Sequence, residues 1–219
     1  MTTMTKEKKD AILGIIDHTL LKPCATMEQL DKLCEEASAY HTASVCVMPS
    51  VVSYVRKAYP SLNICTVIGF PLGYQTTEAK CAEAEDALKK GANELDAVVN
   101  RIDVKNGDFE KVTEEIRALK SLCGDHILKI IVEACDLDRE EKIALCHCVT
   151  RGGADYIKTS TGFGCGGATL EDIMLFKEHI GSNVKIKAAG GIRDIAALEE
   201  FFDAGCCRIG ASCGVEALK

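Results

Sequence analysis

Lysines close two apolar runs of the chain, Tyr156-Ile157-Lys158 and Val184-Lys185-Ile186-Lys187. Small residues follow each at once: Thr159-Ser160-Thr161-Gly162 in one case, Ala188-Ala189-Gly190-Gly191 in the other. A free lysine at neutral pH is an ammonium ion and no nucleophile. A second cation nearby and poor hydration both disfavour the charged form and lower the pKa. The neutral amine can then attack a carbonyl carbon and form an imine. Once protonated, that imine is an electron sink that stabilises an adjacent carbanion as an enamine, with no metal required. Asp96, inside the run Glu94–Val99, can move the protons such a sequence needs.

Other charges stand where apolar residues are expected. Asp17 ends Ile15-Ile16-Asp17, and Lys129 and Glu133 bracket Ile130-Ile131-Val132. With Asp96, Lys158 and Lys187 they make three anionic and three cationic inward candidates, a set that can pair internally. A paired polar plug is therefore the competing structural reading for any one of them. It fits Lys158 and Lys187 together less well, because both precede glycine-rich turns. Lys185, two residues earlier, is structural or reaches the opposite end.

The glycines suggest a seat for an anion. Gly162, Gly190-Gly191 and Gly210-Ala211-Ser212 follow three successive runs, and a helix start is expected near Arg193. Backbone N–H groups in such turns, with a helix N-terminus, can hold a phosphate dianion. Tight loop closure is the plainer alternative.

Eight β-branched runs must position these groups. They begin at residues 15, 44, 64, 94, 128, 155, 184 and 207, spaced 20 to 34 residues apart, the size of one strand–helix unit. Threonine caps with an early glutamate open helices at Thr26 and Thr76. Basic residues followed by Gly91 and by Gly152-Gly153 close two others. A doubly wound sheet would want a Gly-x-Gly-x-x-Gly turn after the first strand, but Asp17-His18-Thr19-Leu20 stands there. The pattern predicts an α/β fold, a (β/α)8 barrel, with 5–16 as an extra N-terminal helix covering its bottom.

The 219 residues suit one domain over 1–219, with 47% apolar and 27% charged residues. A net charge of −7 argues against nucleic-acid or acidic-membrane partners. No apolar run approaches the roughly 20 residues of a membrane span, and the N-terminus reads as no export signal. A cytoplasmic location is expected. The 13 cysteines read as reduced thiols, several of them small core residues (Cys46, Cys65, Cys206). Cys146-His147-Cys148 falls in a helical pattern, where neighbours diverge around the axis and cannot share one ion.

Taken together, these segments carry a family resemblance. Ile16-Asp17-His18-Thr19-Leu20, Gly69-Phe70-Pro71-Leu72-Gly73, Lys158-Thr159-Ser160-Thr161-Gly162, Lys187-Ala188-Ala189-Gly190-Gly191 and Arg208-Ile209-Gly210-Ala211-Ser212 resemble the deoxyribose-phosphate aldolases over nearly the whole chain. The resemblance implies a class I aldolase with no metal and no cofactor. It would reversibly cleave 2-deoxy-D-ribose 5-phosphate to D-glyceraldehyde 3-phosphate and acetaldehyde. Lys158 matches the imine-forming lysine, and Lys187 the lysine that lowers its pKa and shares in proton transfer. Asp96 matches the aspartate that relays protons through a bound water. The glycine loops, Arg193 and Ser212 match the phosphate site, and Asp17 and Thr159 the polar channel. A cytosolic homodimer acting on a small sugar phosphate and an aldehyde is implied.

Three departures stand out. Arg101-Ile102-Asp103 replaces an apolar residue and glycine, Cys213 replaces a second serine, and the chain stops at Lys219 without a longer tail. Cys46 keeps two readings. It is a small core residue, or it lies near Lys158 at the substrate, where a reactive aldehyde would alkylate it. Rival functions are another lysine-imine barrel such as a transaldolase, and a non-catalytic sugar-phosphate-binding barrel.

Overall fold

The computed structural model describes residues 4–218. Eight parallel strands close one barrel in sequence order. They are β1 (Ile16–Leu20), β2 (Ser44–Val47), β3 (Ile64–Ile68), β4 (Glu94–Val98), β5 (Ile127–Ile131), β6 (Tyr156–Lys158), β7 (Lys185–Ala189) and β8 (Arg208–Ala211). Helices cover them: α1 (Lys6–Leu13), α2 (Met27–Tyr40), α3 (Val52–Ala58), α4 (Thr77–Lys89), α5 (Arg101–Lys105), α6 (Phe109–Cys123), α7 (Arg139–Gly152), α8 (Leu170–His179), α9 (Ile195–Asp203) and α10 (Gly214–Leu218).

Local signals account for most helix starts. Thr26 and Gln29 close a capping box on α2, and the hydroxyls of Thr76 and Thr169 cap α4 and α8. Asp194 caps α9, and Gly153 ends α7 with a φ of 78° that a side chain would resist. The expected N-terminal helix is α1. It leads into β1, buries Ile12 and Leu13, and packs on α9 and α10.

The strands differ from the apolar runs at their ends. β1 continues past Asp17 to Leu20, β7 past Lys187 to Ala189, and β8 to Ala211, because ladder pairing with neighbours carries Thr, Ala and Gly. Asp17 therefore sits low in its strand. Isoleucine, leucine and valine on the outer faces pack under the helices in one large core. The alternate residues point inward, where polar groups replace the apolar filling.

Candidate active site

The barrel interior is a ladder of ion pairs. At its base, Arg208 donates to Glu94 at 2.6 and 3.0 Å and to Asp17. Lys129 lies 2.5 Å from Glu94 and 2.8 Å from Asp96. Lys187 donates to Asp17 and, at 2.7 Å, to Asp96. Lys158, the last residue of β6, donates to the same Asp96 oxygen at 2.7 Å. Lys158 and Lys187 are register partners on β6 and β7, so strand pairing itself places the two amines side by side.

Burial and charge act in opposite directions here, and charge wins. Burial would raise the Asp96 carboxyl, but Lys129, Lys158 and Lys187 hold it well below the usual carboxylate range. Burial would lower Lys187, yet Asp17 and Asp96 raise it, so it stays an ammonium ion. Lys129 is raised in the same way, by Asp96 first. The ladder holds three carboxylates (Asp17, Glu94, Asp96) against four cations (Lys129, Lys158, Lys187, Arg208).

Above Lys158 lies a cavity of about 370 Å³ at the C-terminal ends of the strands. Its walls are the ends of β1, β6, β7 and β8 and the turns that follow them, including Gly162, Gly190, Gly191, Gly210 and Ser212. Arg193 and Lys22 bring two cations to it. Gly190 and Gly191 have φ of 84° and 77°, a succession of left-handed residues whose amides suit an anion. Phe163 meets Phe70 edge to face at 5.3 Å, tying the turn after β6 to that after β3. A second, shallower depression of about 570 Å³ lies over Leu72, Tyr74 and Ile102; Lys158 has no part in its lining.

Glycine-rich turns with two cations thus lie over a pair of buried lysines, and comparison with known proteins identifies the family. The model of the DeoC/LacD family aldolases matches residues 9–219. The chain belongs to the DeoC/LacD aldolases. Deoxyribose-phosphate aldolase of Clostridium botulinum (strain Alaska E43 / Type E3) is 58% identical over 209 residues, 95% of each chain. That of Clostridioides difficile (strain 630) is 53% identical over 212 residues, again 95% of each. The structure of deoxyribose phosphate aldolase from Aeropyrum pernix superposes with a TM-score of 0.87 at 31% identity, covering 96% of this chain and 90% of that one.

Within this DeoC/LacD barrel, the residues singled out from sequence fall into three groups. Lys158, Gly162, Gly190, Gly191, Arg193, Gly210 and Ser212 line the cavity. Asp96 and Lys187 lie directly beneath it in the ladder. Asp17, Cys46 and Thr159 are fully buried and outside the cavity wall. Asp17 is low in β1, where Ser44, Lys187 and Arg208 donate to it. Thr159 bridges to the backbone of Ala189 at 3.0 Å, bracing β6 against β7. Cys46 packs with Cys65 and Val67, and a hydrogen bond from Cys65 lowers its thiol against the effect of burial.

Glu133 parts from the inward set. Its backbone is left-handed (φ 54°), and its carboxylate accepts from the Thr161 amide at 3.1 Å and the Thr161 hydroxyl. Glu94 and Arg208 take its place in the ladder. Glu94 was readable, since it shares the face of Asp96 two residues on. Cys213 turns its thiol to the carbonyls of Ile192 and Arg193, at 3.7 and 3.4 Å, and so braces the turn after β7. Arg101-Ile102-Asp103 begins α5, capped by Asn100, and Asp96 keeps its position in β4.

Proposed function

We propose that this chain reversibly cleaves 2-deoxy-D-ribose 5-phosphate to D-glyceraldehyde 3-phosphate and acetaldehyde, as one aldolase domain over residues 1–219. The observation that carries the reading is the shared Asp96 oxygen, with Lys158 and Lys187 each 2.7 Å away and only Lys158 opening to the cavity. Lys158 Nζ attacks C1 of the open-chain sugar, and loss of water leaves an imine. The C3 hydroxyl gives its proton to the Asp96–Lys187 relay, the C2–C3 electrons move into the protonated imine to leave a neutral enamine, and glyceraldehyde 3-phosphate departs. The remaining enamine takes a proton at C2, and water releases acetaldehyde and free Lys158.

Lys158 is the nucleophile because it alone opens to the cavity, and Lys187, on the same Asp96 oxygen, shares in proton transfer. Asp96 keeps both nitrogens aimed and passes protons between them. The Gly190-Gly191 turn, Arg193, Ser212 and Lys22 receive the phosphate.

Borohydride trapping tests this. Reduction in the presence of acetaldehyde should leave a two-carbon adduct on Lys158, located by peptide mass spectrometry. An adduct on Lys187 would reverse the roles, and none from protein that still binds the sugar phosphate would favour a non-catalytic barrel. Cleavage of deoxyribose 5-phosphate over fructose phosphates separates the reading from other lysine-imine barrels.

A homodimer with no nucleic-acid or membrane partner completes the proposal. The Aeropyrum pernix relative is described as a tetramer, and light scattering distinguishes the states. A cytoplasmic location fits thirteen cysteines that are all free thiols. Among the described residues no helix is long and apolar enough to cross a membrane.

A further inference from the structure

Two loops on the catalytic face bring together thiols that are thirty residues apart in sequence. Cys135 lies in the short turn Ala134–Asp136 after β5, and Cys165 in the loop between β6 and α8. Both sulfurs point at one oxygen, Asp136 Oδ1, at 3.8 and 3.9 Å. The three donor atoms lie within 4.8 Å of one another, and Glu133 Oε1 adds a carboxylate 3.9 Å from Cys135 Sγ. A zinc ion with Zn–S near 2.3 Å spans tetrahedral edges of about 3.5–3.8 Å between sulfur and oxygen or sulfur donors. The two sulfur–oxygen separations, 3.8 and 3.9 Å, are slightly longer than the corresponding edge, so a small inward rotation of the thiols would seat the ion.

The surroundings are built for this approach. A Cβ on Gly164 would come 3.1 Å from Cys135 Sγ, and one on Gly166 2.9 Å from Cys135 Cβ. Glycine on both sides of Cys165 is what lets the loop close over Cys135. Arg101 holds the other oxygen of Asp136 and so fixes the carboxylate's direction. The barrel interior also groups thiols with carboxylates, Cys46 and Cys65 with Asp96 among them. There Lys129, Lys158 and Lys187 already neutralise the carboxylate, and a cation would be repelled. Among the described residues Asp136 is paired with a single cation, Arg101, and through its other oxygen, so Oδ1 is left to the two thiols.

We propose that Cys135, Cys165 and Asp136 form a site for a soft divalent cation of the zinc class, clamping the loop after β5 to the loop after β6. Two thiolates select a soft or borderline ion over magnesium or calcium. Binding displaces the two thiol protons. Cys165 is exposed, so a fourth position faces solvent and the ion exchanges. The clamped loop also supplies Thr161, Gly162 and Phe163 to the cavity, so occupancy and sugar-phosphate binding are thermodynamically linked.

Cadmium is the probe. The full chain, reduced and stripped of metal, should show a saturable thiolate-to-cadmium charge-transfer band at one equivalent, and zinc should compete it away. Cys165→Ser and Cys135→Ser should each weaken cadmium by roughly 100-fold or more, and Arg101→Gln by about tenfold. Cys24→Ser and Cys207→Ser, at the other exposed thiols, should leave affinity unchanged, with circular dichroism confirming the fold of every variant. No saturable band in the native chain, or native affinity in either Cys135→Ser or Cys165→Ser, would overturn the site.

Discussion

Replacing Lys158 and Lys187 separately by methionine separates catalysis from structure. Lys187 is wholly buried and holds two carboxylates, Asp17 and Asp96. Removing it strips a partner from both, and breaking such a buried pair costs about 3–5 kcal/mol. For a chain of this size that is a fall in Tm of roughly 6–20 °C. Lys158 holds Asp96 alone, and Asp96 keeps Lys129 at 2.8 Å and Lys187 at 2.7 Å after it is gone. With four cations against three carboxylates in the ladder, losing the least connected cation leaves the charges balanced. Lys158→Met should therefore change stability by less than about 1 kcal/mol while abolishing cleavage and the borohydride adduct. Lys187→Met should lose about 10²–10⁴-fold in kcat, the range of one proton-transfer group. Calorimetry and a coupled glyceraldehyde 3-phosphate assay read both outcomes. Equal destabilisation by the two substitutions would refute the reasoning, and would make Lys158 one more strut in a polar plug.

Further expectations follow from the same packing. Burial pushes the thiols of Cys34, Cys146 and Cys206 from their ordinary 9.0 up to about 12, so the fold retains protons that the unfolded chain loses. Their contribution is complete below pH 9 and drains as pH rises from 9 through 12; a urea midpoint that stays level across that window would count against it. The opposite sign holds for Asp17, Glu94 and Asp96, whose carboxyls lie below their ordinary 3.8 to 4.5. Their stabilisation is present above about pH 4.5 and is lost as pH falls below it, which acid titration of the urea midpoint reads. Gly167→Ala would set a Cβ 2.2 Å from the Gly190 carbonyl and displace the Gly190-Gly191 turn. KM for the phosphorylated sugar should rise about tenfold, the worth of one hydrogen bond to a charged group, with unphosphorylated deoxyribose little affected. Glu133→Ala removes the acceptor of the Thr161 amide and hydroxyl, and should cost about 1.5–3 kcal/mol by urea unfolding.

How far the site was legible in the sequence depended on the range of the forces involved. Lys158, Lys187 and Asp96 could be read because a barrel strand is covered on both faces, so any charge within it is conspicuous, and period two says which charges share a side. The glycine turns could be read because backbone conformation is a local matter. Strand ends were less legible: β1 runs three residues past Asp17 because β2 and β8 pair with His18, and pairing partners leave no mark on the strand's own residues. That shift lowers Asp17 from the substrate level to the base of the ladder. Glu133 shows the limit of alternation, since one left-handed residue after β5 ends the strand and sends the carboxylate to Thr161 instead of Lys129. Lys22 and the meeting of Cys135 with Cys165 depend on how separate loops converge. No spacing along the chain encodes that convergence; only closure of the barrel brings the end of β8 beside the start of β1 and lays the loop after β6 over the turn after β5.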